Sequence, residues 1–259
     1  MRDDFLFATY ASVDYIPYLE NCVSGCARFL KARPVVYAFD KETAEAAGAW
    51  GCDVEEVPEY CMERHLFSLE ILKRGGKRWT VLIDADCWPL RVINLDSWIS
   101  MMEDRKLDFV GDVGQMDLEY LFKTTNRVDM LLHMHEVLRT FPQFATLWGN
   151  AANVVPVRPS CGNVVVDLPL LYGGFGIYRT SAFQGIVYPT WIHSADIWLS
   201  MYAIEHGIKW QRIGKFQFNR RMDVNEDFLH FAGVKSDSCV PVAEKYKDRL
   251  KGMVSAAVP

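Results

Sequence analysis

A chain of 259 residues has the length of one large domain, and with half of them hydrophobic and 13% aromatic it can bury a sizeable core, which excludes global disorder. A formal net charge of −5 argues against a broad basic surface for duplex nucleic acid or an anionic membrane, while leaving room for a local phosphate pocket. The seven cysteines include no C-x-x-C pair, there is no N-x-S/T sequon, and the N-terminal apolar run is too short for a signal sequence or a membrane span, so neither a zinc site, a disulfide framework nor a transmembrane segment is expected, and a cytoplasmic setting is the simplest one.

The first half alternates strand and helix patterns. Phe5 to Tyr10 reads as a buried strand, and Tyr15 to Leu30 as a helix with apolar residues at Ile16, Leu19, Cys22, Val23, Cys26 and Leu30. Val35 to Phe39 is the next strand, ending at Asp40, and Glu42 to Trp50 is Ala-rich and helical. Val54 to Val57 is a short strand, Tyr60 to Lys73 a helix, and Arg74-Gly75-Gly76-Lys77 its stop signal. Trp79 to Ile83 is a strand that leads into Asp84-Ala85-Asp86. This succession predicts an α/β fold with a mostly parallel central sheet flanked by helices, whose ligands gather at the C-terminal strand ends. The second half is less regular. Strands are expected over Phe109 to Asp112, Asn163 to Asp167, Leu171 to Tyr178, Lys209 to Phe218 and Asp227 to Phe231. Helices are expected over Val128 to Thr140, Ala195 to His206 and Val242 to Leu250, with a long loop from Pro142 to Ser160. No linker divides the chain.

Asp84 and Asp86 are the sharpest chemical signal. Two carboxylates one residue apart at the end of a buried strand repel each other and resist desolvation. A solvated acidic turn relieves that strain; so does a hard divalent cation, Mn²⁺ or Mg²⁺, shared with a substrate diphosphate.

Several segments in order resemble the GT-A glycosyltransferases, which move a sugar from a nucleotide diphosphosugar. Phe7-Ala8-Thr9-Tyr10 with Asp14-Tyr15 is similar to the opening strand and loop of family-8-like members. Val81-Leu82-Ile83-Asp84-Ala85-Asp86 resembles their metal-binding D-x-D strand, Tyr172 to Tyr178 their glycine-containing acceptor segment, and Asp196-Ile197-Trp198-Leu199-Ser200 the helix start beside the acceptor. His230-Phe231-Ala232-Gly233-Val234-Lys235 resembles the C-terminal H-F-x-G…K segment, one residue shorter than in family 8 and with no K-P-W after it. The resemblance implies a single GT-A domain over 1–259, with a nucleotide-sugar half (1–112) and an acceptor half (113–259) that ends in the metal and diphosphate segment. It implies Asp84, Asp86 and His230 as metal ligands, and contacts to the donor from Ala8, Thr9, Tyr10, Tyr15, Asp84, Ala85 and Lys235. Asp40 ends a strand beside the expected base pocket and is otherwise a helix cap. Arg74 and Lys77 either reach phosphate or are helix-end cations. Gly173 and Gly174 allow close approach of an acceptor or form a bulge, and Trp191 offers an aromatic face to a sugar. Asp196 accepts the acceptor proton or partners a helix dipole.

The function so implied is a metal-dependent hexosyl- or pentosyltransferase, with Mn²⁺ or Mg²⁺, using a UDP-sugar and a glycan or glycoconjugate acceptor. Two alternatives are a nucleotidyltransferase, against which stands the absence of glycine from residues 5 to 15, and a non-catalytic nucleotide- or sugar-binding protein on the same scaffold.

Overall fold

The computed structural model describes residues 3–57, 67–117, 165–187, 195–212, 217–219, 222–224 and 228–230. Strand β1 (Phe5–Ala11) is the middle of a parallel block. It pairs with β2 (Val35–Ala38) on one side and β4 (Trp79–Ile83) on the other, and β3 (Val54–Glu56) flanks β2, all parallel. Burial on both faces explains why these strands are continuous apolar runs. All five residues of β4 are buried.

The crossover helices follow local signals. A 3₁₀ turn (Val13–Tyr15) leads into α1 (Ile16–Gly25), with Pro17 in its first turn. The expected single helix to Leu30 changes to a π-helix over Cys26–Leu30, which ends at Lys31 in the left-handed conformation (φ 55°). α2 (Lys41–Ala49) is capped by Asp40. α3 (Phe67–Arg74) stops at Gly75 and Gly76, whose φ of 61° and 110° only glycine adopts readily. After β4 come β5 (Cys87–Pro89) and α4 (Leu95–Arg105), the latter capped by Asn94 Oδ1 accepting from Ser97 N at 3.1 Å. Neither element was expected.

The later strands are longer or more divided than their local patterns suggest. β6 (Phe109–Asp117) extends beyond Asp112, and β7 (Val165–Arg179) merges the two expected strands Asn163–Asp167 and Leu171–Tyr178 into one. Pairing with β6 carries β7 through Pro169, with two register shifts that absorb the irregularity. α5 (Thr180–Phe183) and α6 (Ala195–Glu205) follow. The expected strand Lys209–Phe218 is split: β8 (Trp210–Arg212) joins the main sheet, whereas β9 (Gln217–Asn219) joins a second one. β10 (Met222–Val224) and β11 (Phe228–His230) complete that second sheet. The expected helices Val128–Thr140 and Val242–Leu250 and the loop Pro142–Ser160 lie outside the described residues.

The main sheet has seven strands in the order β3-β2-β1-β4-β7-β6-β8, and the second has four in the order β5-β11-β10-β9. Only β7 runs against its neighbours in the main sheet, so the sheet is mostly parallel. The core follows the pleat of β4. Trp79, Val81 and Ile83 face a cluster with Cys22, Cys26, Ile99, Phe175 and Phe228; Leu82 faces Phe67, Phe109, Tyr178, Phe183 and Trp198 on the other side. Gly111 and Gly176 are directly opposed on β6 and β7. A Cβ on Gly111 would lie 2.3 Å from the Phe109 ring, and one on Gly176 would lie 2.7 Å from both the Phe109 and Tyr178 rings. The two glycines make space for that aromatic pair, whose centroids are 4.8 Å apart.

Candidate functional site

Asp84 follows the last residue of β4, at the C-terminal edge of the parallel block. Its peptide is fixed from three directions. Its N–H donates to Gly174 O on β7 (3.0 Å), its carbonyl accepts from Cys87 N (2.9 Å), and the same carbonyl accepts from the Cys22 thiol on α1 (3.6 Å). The Asp84–Cys87 turn buries Ala85, which packs with Ala11 and Leu19, and also buries Asp86 at 6% exposure. A carboxylate held at that depth retains little water, so the acidic turn is not simply solvated. Gly174 is therefore brought to the pair through its backbone, with Gly173 next along β7.

The C-terminal segment returns to the same place. β11 pairs antiparallel with β5, which sets His230 opposite Cys87, the residue after Asp86. Among the described side chains, no group of three His, Cys, Asp or Glu residues is arranged to hold a metal ion. The donor set nevertheless fits a hard divalent cation. Such ions use one or two protein carboxylates and leave positions for phosphate oxygens and water. Asp84 and Asp86 would supply the carboxylates, and an imidazole at position 230 would suit Mn²⁺.

The other carboxylate of interest is Asp196, in the first turn of α6. Trp198 Nε1 donates to Val187 O (2.9 Å) and Tyr202 Oη to Ala182 O (3.1 Å), which anchors α6 beside β7 and α5. Two tyrosines register Asp196 and Asp84 together. Burial, then Asp84 and Asp196, push the Tyr10 phenol well above the ordinary tyrosine range, opposed by a hydrogen bond with Ser68. Burial, then Asp196 and Asp84, do the same to Tyr178. Tyr15 is raised by burial and then by the charges of Asp86 and Asp84. Tyr10 and Tyr15 thus stay neutral phenols beside a concentration of negative charge.

Tyr10 also belongs to an aromatic cluster at the ends of β1 and β2. Its ring centroid is 6.3 Å from Phe39 and 6.1 Å from Phe67, and Phe67 lies 5.4 Å from Tyr37. Ala8 and Thr9 are fully buried, and the Thr9 hydroxyl has no hydrogen-bond partner. Both lie within the strand rather than at its rim. Asp40 uses both carboxylate oxygens: Oδ1 accepts from Thr43 N (2.8 Å) and Thr43 Oγ1 (2.6 Å), Oδ2 from Val13 N (2.8 Å).

The two cations ahead of β4 do not join the acidic pair. Arg74 pairs with Glu70 (3.0 Å) and lies over the Phe67 ring (5.7 Å). Lys77 Nζ donates to Asp3 O (2.9 Å) at the N-terminal end of β4, about 20 Å from Asp84 by strand rise. Trp191 and Lys235 lie outside the described residues. Sequence reasoning missed Cys22, whose only signal was its spacing from Cys26, and Ser68, which had none.

No protein-family model and no curated protein matches the chain in sequence. Among solved structures it is similar to a CMP-2-keto-3-deoxy-manno-octonic acid synthetase complexed with CTP, at 9% identity and TM-score 0.53, over 95% of this chain and 99% of that one. It also resembles a mannosyltransferase from Pyrobaculum calidifontis complexed with GDP-mannose and Mn²⁺ (15% identity, TM-score 0.49, 82% of this chain) and a core-mannan synthase from Aspergillus fumigatus in an Mn/GDP form (12%, 0.43, 80%). The chain spans 55% of the first mannosyltransferase and 66% of the second enzyme. At such identities the likeness to the synthetase is one of fold. Among the described residues, no helix is long and apolar enough to cross a membrane.

Proposed function

We propose that the chain is a metal-dependent glycosyltransferase that transfers a sugar from a nucleotide diphosphosugar, a UDP-sugar in the first instance, to a hydroxyl of a glycan or glycoconjugate. The observation that carries this reading is the convergence of two distant segments: Asp84-Ala85-Asp86 at the end of β4, and β11, whose pairing sets His230 opposite Cys87. A bound Mn²⁺ or Mg²⁺ would neutralise the charge that develops on the departing diphosphate. Asp84 and Asp86 would hold that ion, His230 would add a third ligand, and Lys235 would pair with the diphosphate. Tyr10 and Tyr15, held neutral, donate hydrogen bonds on the nucleotide side. Asp196 faces the acceptor across Tyr10 and takes up or orients its hydroxyl proton. The glycine backbone of β7 allows the acceptor to approach.

Replacing Asp86 with Ala tests the reading. Donor hydrolysis or transfer with Mn²⁺ is expected to fall by at least about 100-fold, the scale of losing an electrostatic contact to the transition state. Activity unchanged in the folded variant would sink the metal role. The likeness to the CTP-complexed synthetase favours nucleotidyl transfer as the second reading. Its signature would be pyrophosphate released from a nucleoside triphosphate, with no turnover of sugar nucleotides.

A further inference from the structure

We propose that Asp40 is a positioning residue that clasps the β1–α1 loop and so holds Tyr15 beside the acidic pair; the proposal rests on reading that loop as part of the donor site. A helix N-cap needs one side-chain oxygen, which a serine supplies as well as an aspartate. Here Oδ1 alone meets that need, accepting from both Thr43 N and Thr43 Oγ1. Oδ2 turns the other way and accepts from Val13 N at 2.8 Å, across 27 residues of sequence. One carboxylate thereby joins the start of α2 to the loop that follows β1.

The loop's other anchors are packing and its own turn: Ser12 is buried, and Tyr15 packs against the core and lies 6.3 Å from the Tyr18 ring. Its turn closes on itself through Tyr15 N donating to Ser12 O (2.8 Å), and the Val13 side chain is 41% exposed. The last ladder bond before it is Phe39 N to Ala11 O (3.0 Å), immediately ahead of Asp40 in the chain. The carboxylate thus continues the β1–β2 pairing into the loop after the strands have ended. The positive end of α2 favours a charged group at this point. Tyr15, two residues past the clasped amide, packs against the cluster that contains Ala85, and its phenol is raised by burial and then by the charges of Asp86 and Asp84. Asp40 then acts on a nucleotide through the loop, not by touching the base.

Asp40→Ser separates the two roles, because a hydroxyl keeps the cap but does not span to Val13. The expected result is loss of amide-exchange protection at Val13 to Tyr15 with α2 protection retained, whereas Asp40→Ala loses both. UDP binding in Mn²⁺ buffer, measured by calorimetry, should weaken about 5–10-fold, the scale of one ordinary net hydrogen bond. Tyr15→Ala should weaken it similarly, and the double variant no further than either single. Unchanged protection of the loop in Asp40→Ser overturns the clasp. So do multiplicative effects in the double variant, or an altered preference among nucleoside diphosphates, which would mean direct base contact. If the wild type binds no UDP and turns over no sugar nucleotide, the glycosyltransferase reading fails, and the exchange experiment still decides the clasp.

Discussion

The parallel block β1 to β4 and the mixed part of the sheet, β6 to β8, are built by different rules. In the block β1 and β2 are each followed closely by a helix, the β1–β2 and β2–β3 partners are near in sequence, and all pairs, β1 with β4 included, are parallel. In the mixed part the partners come from far away. β7 inserts antiparallel between β4 and β6, and the buried hydroxyls of Thr80 and Thr180, 100 residues apart, meet at 2.9 Å. The block supplies the side chains proposed for the chemistry, Tyr10, Tyr15, Asp84 and Asp86. The distant part supplies mainly backbone and packing at the same place: Gly174 O to Asp84, β11 along β5, and the stack of Phe175 on Phe228 at 4.3 Å. A site at such a seam depends on both constructions.

The seam can be broken first at Phe175. Removing its ring in Phe175→Ala withdraws the stack on Phe228 and a contact with Trp98, and is expected to destabilise the protein by about 3–5 kcal/mol in urea denaturation. A loss below about 1 kcal/mol would mean that the two sheets do not depend on that contact. A pair of glycine substitutions sharpens the contrast at smaller scale. Gly111→Ala drives a methyl into the Phe109 ring and the Phe175 carbonyl, and should cost about 1–3 kcal/mol. Gly48→Ala in α2 meets nothing within 4 Å and should stabilise by about 0.5–1 kcal/mol, because alanine is the better helix former. Equal effects at the two sites would erase the distinction between the regions.

The smallest effect is alkaline and belongs to the block. Burial pushes the Cys52 thiol up to about 11, with Arg33 opposing. Its folded value lies above the unfolded one of about 8.5, so its contribution is whole below that pH and declines as pH rises through 11. In that window the unfolded chain binds fewer protons than the native one, and stability falls. Thermal unfolding of Cys52→Ser across pH 8 to 11 should show a shallower decline than wild type; identical slopes would remove Cys52 from the account.

Much of the block was legible because its signals are local. The Asp40–Thr43 cap, the Gly75-Gly76 stop and the apolar run of β4 each act within a few residues. The strands of the second half were harder. Lys209–Phe218 alternates like one strand, yet its two ends pair in different sheets, since partner choice is a long-range matter. β5 and β10 carry only three residues each, too few for a periodicity to declare itself.

The same division holds at the site. The sequence by itself determined that two carboxylates would stand at the C-terminal end of a buried strand, because an apolar run followed by acidic residues allows little else. Only the tertiary structure decided which distant groups gather there: Gly174 and Cys22 on the Asp84 backbone, the charge of Asp196 acting on Tyr10, and β11 along β5. It also decided that Asp40 ties two segments together. The physical reason is that propensity and capping act over one turn or one strand, whereas sheet order is set by how buried surfaces cover one another across the whole chain.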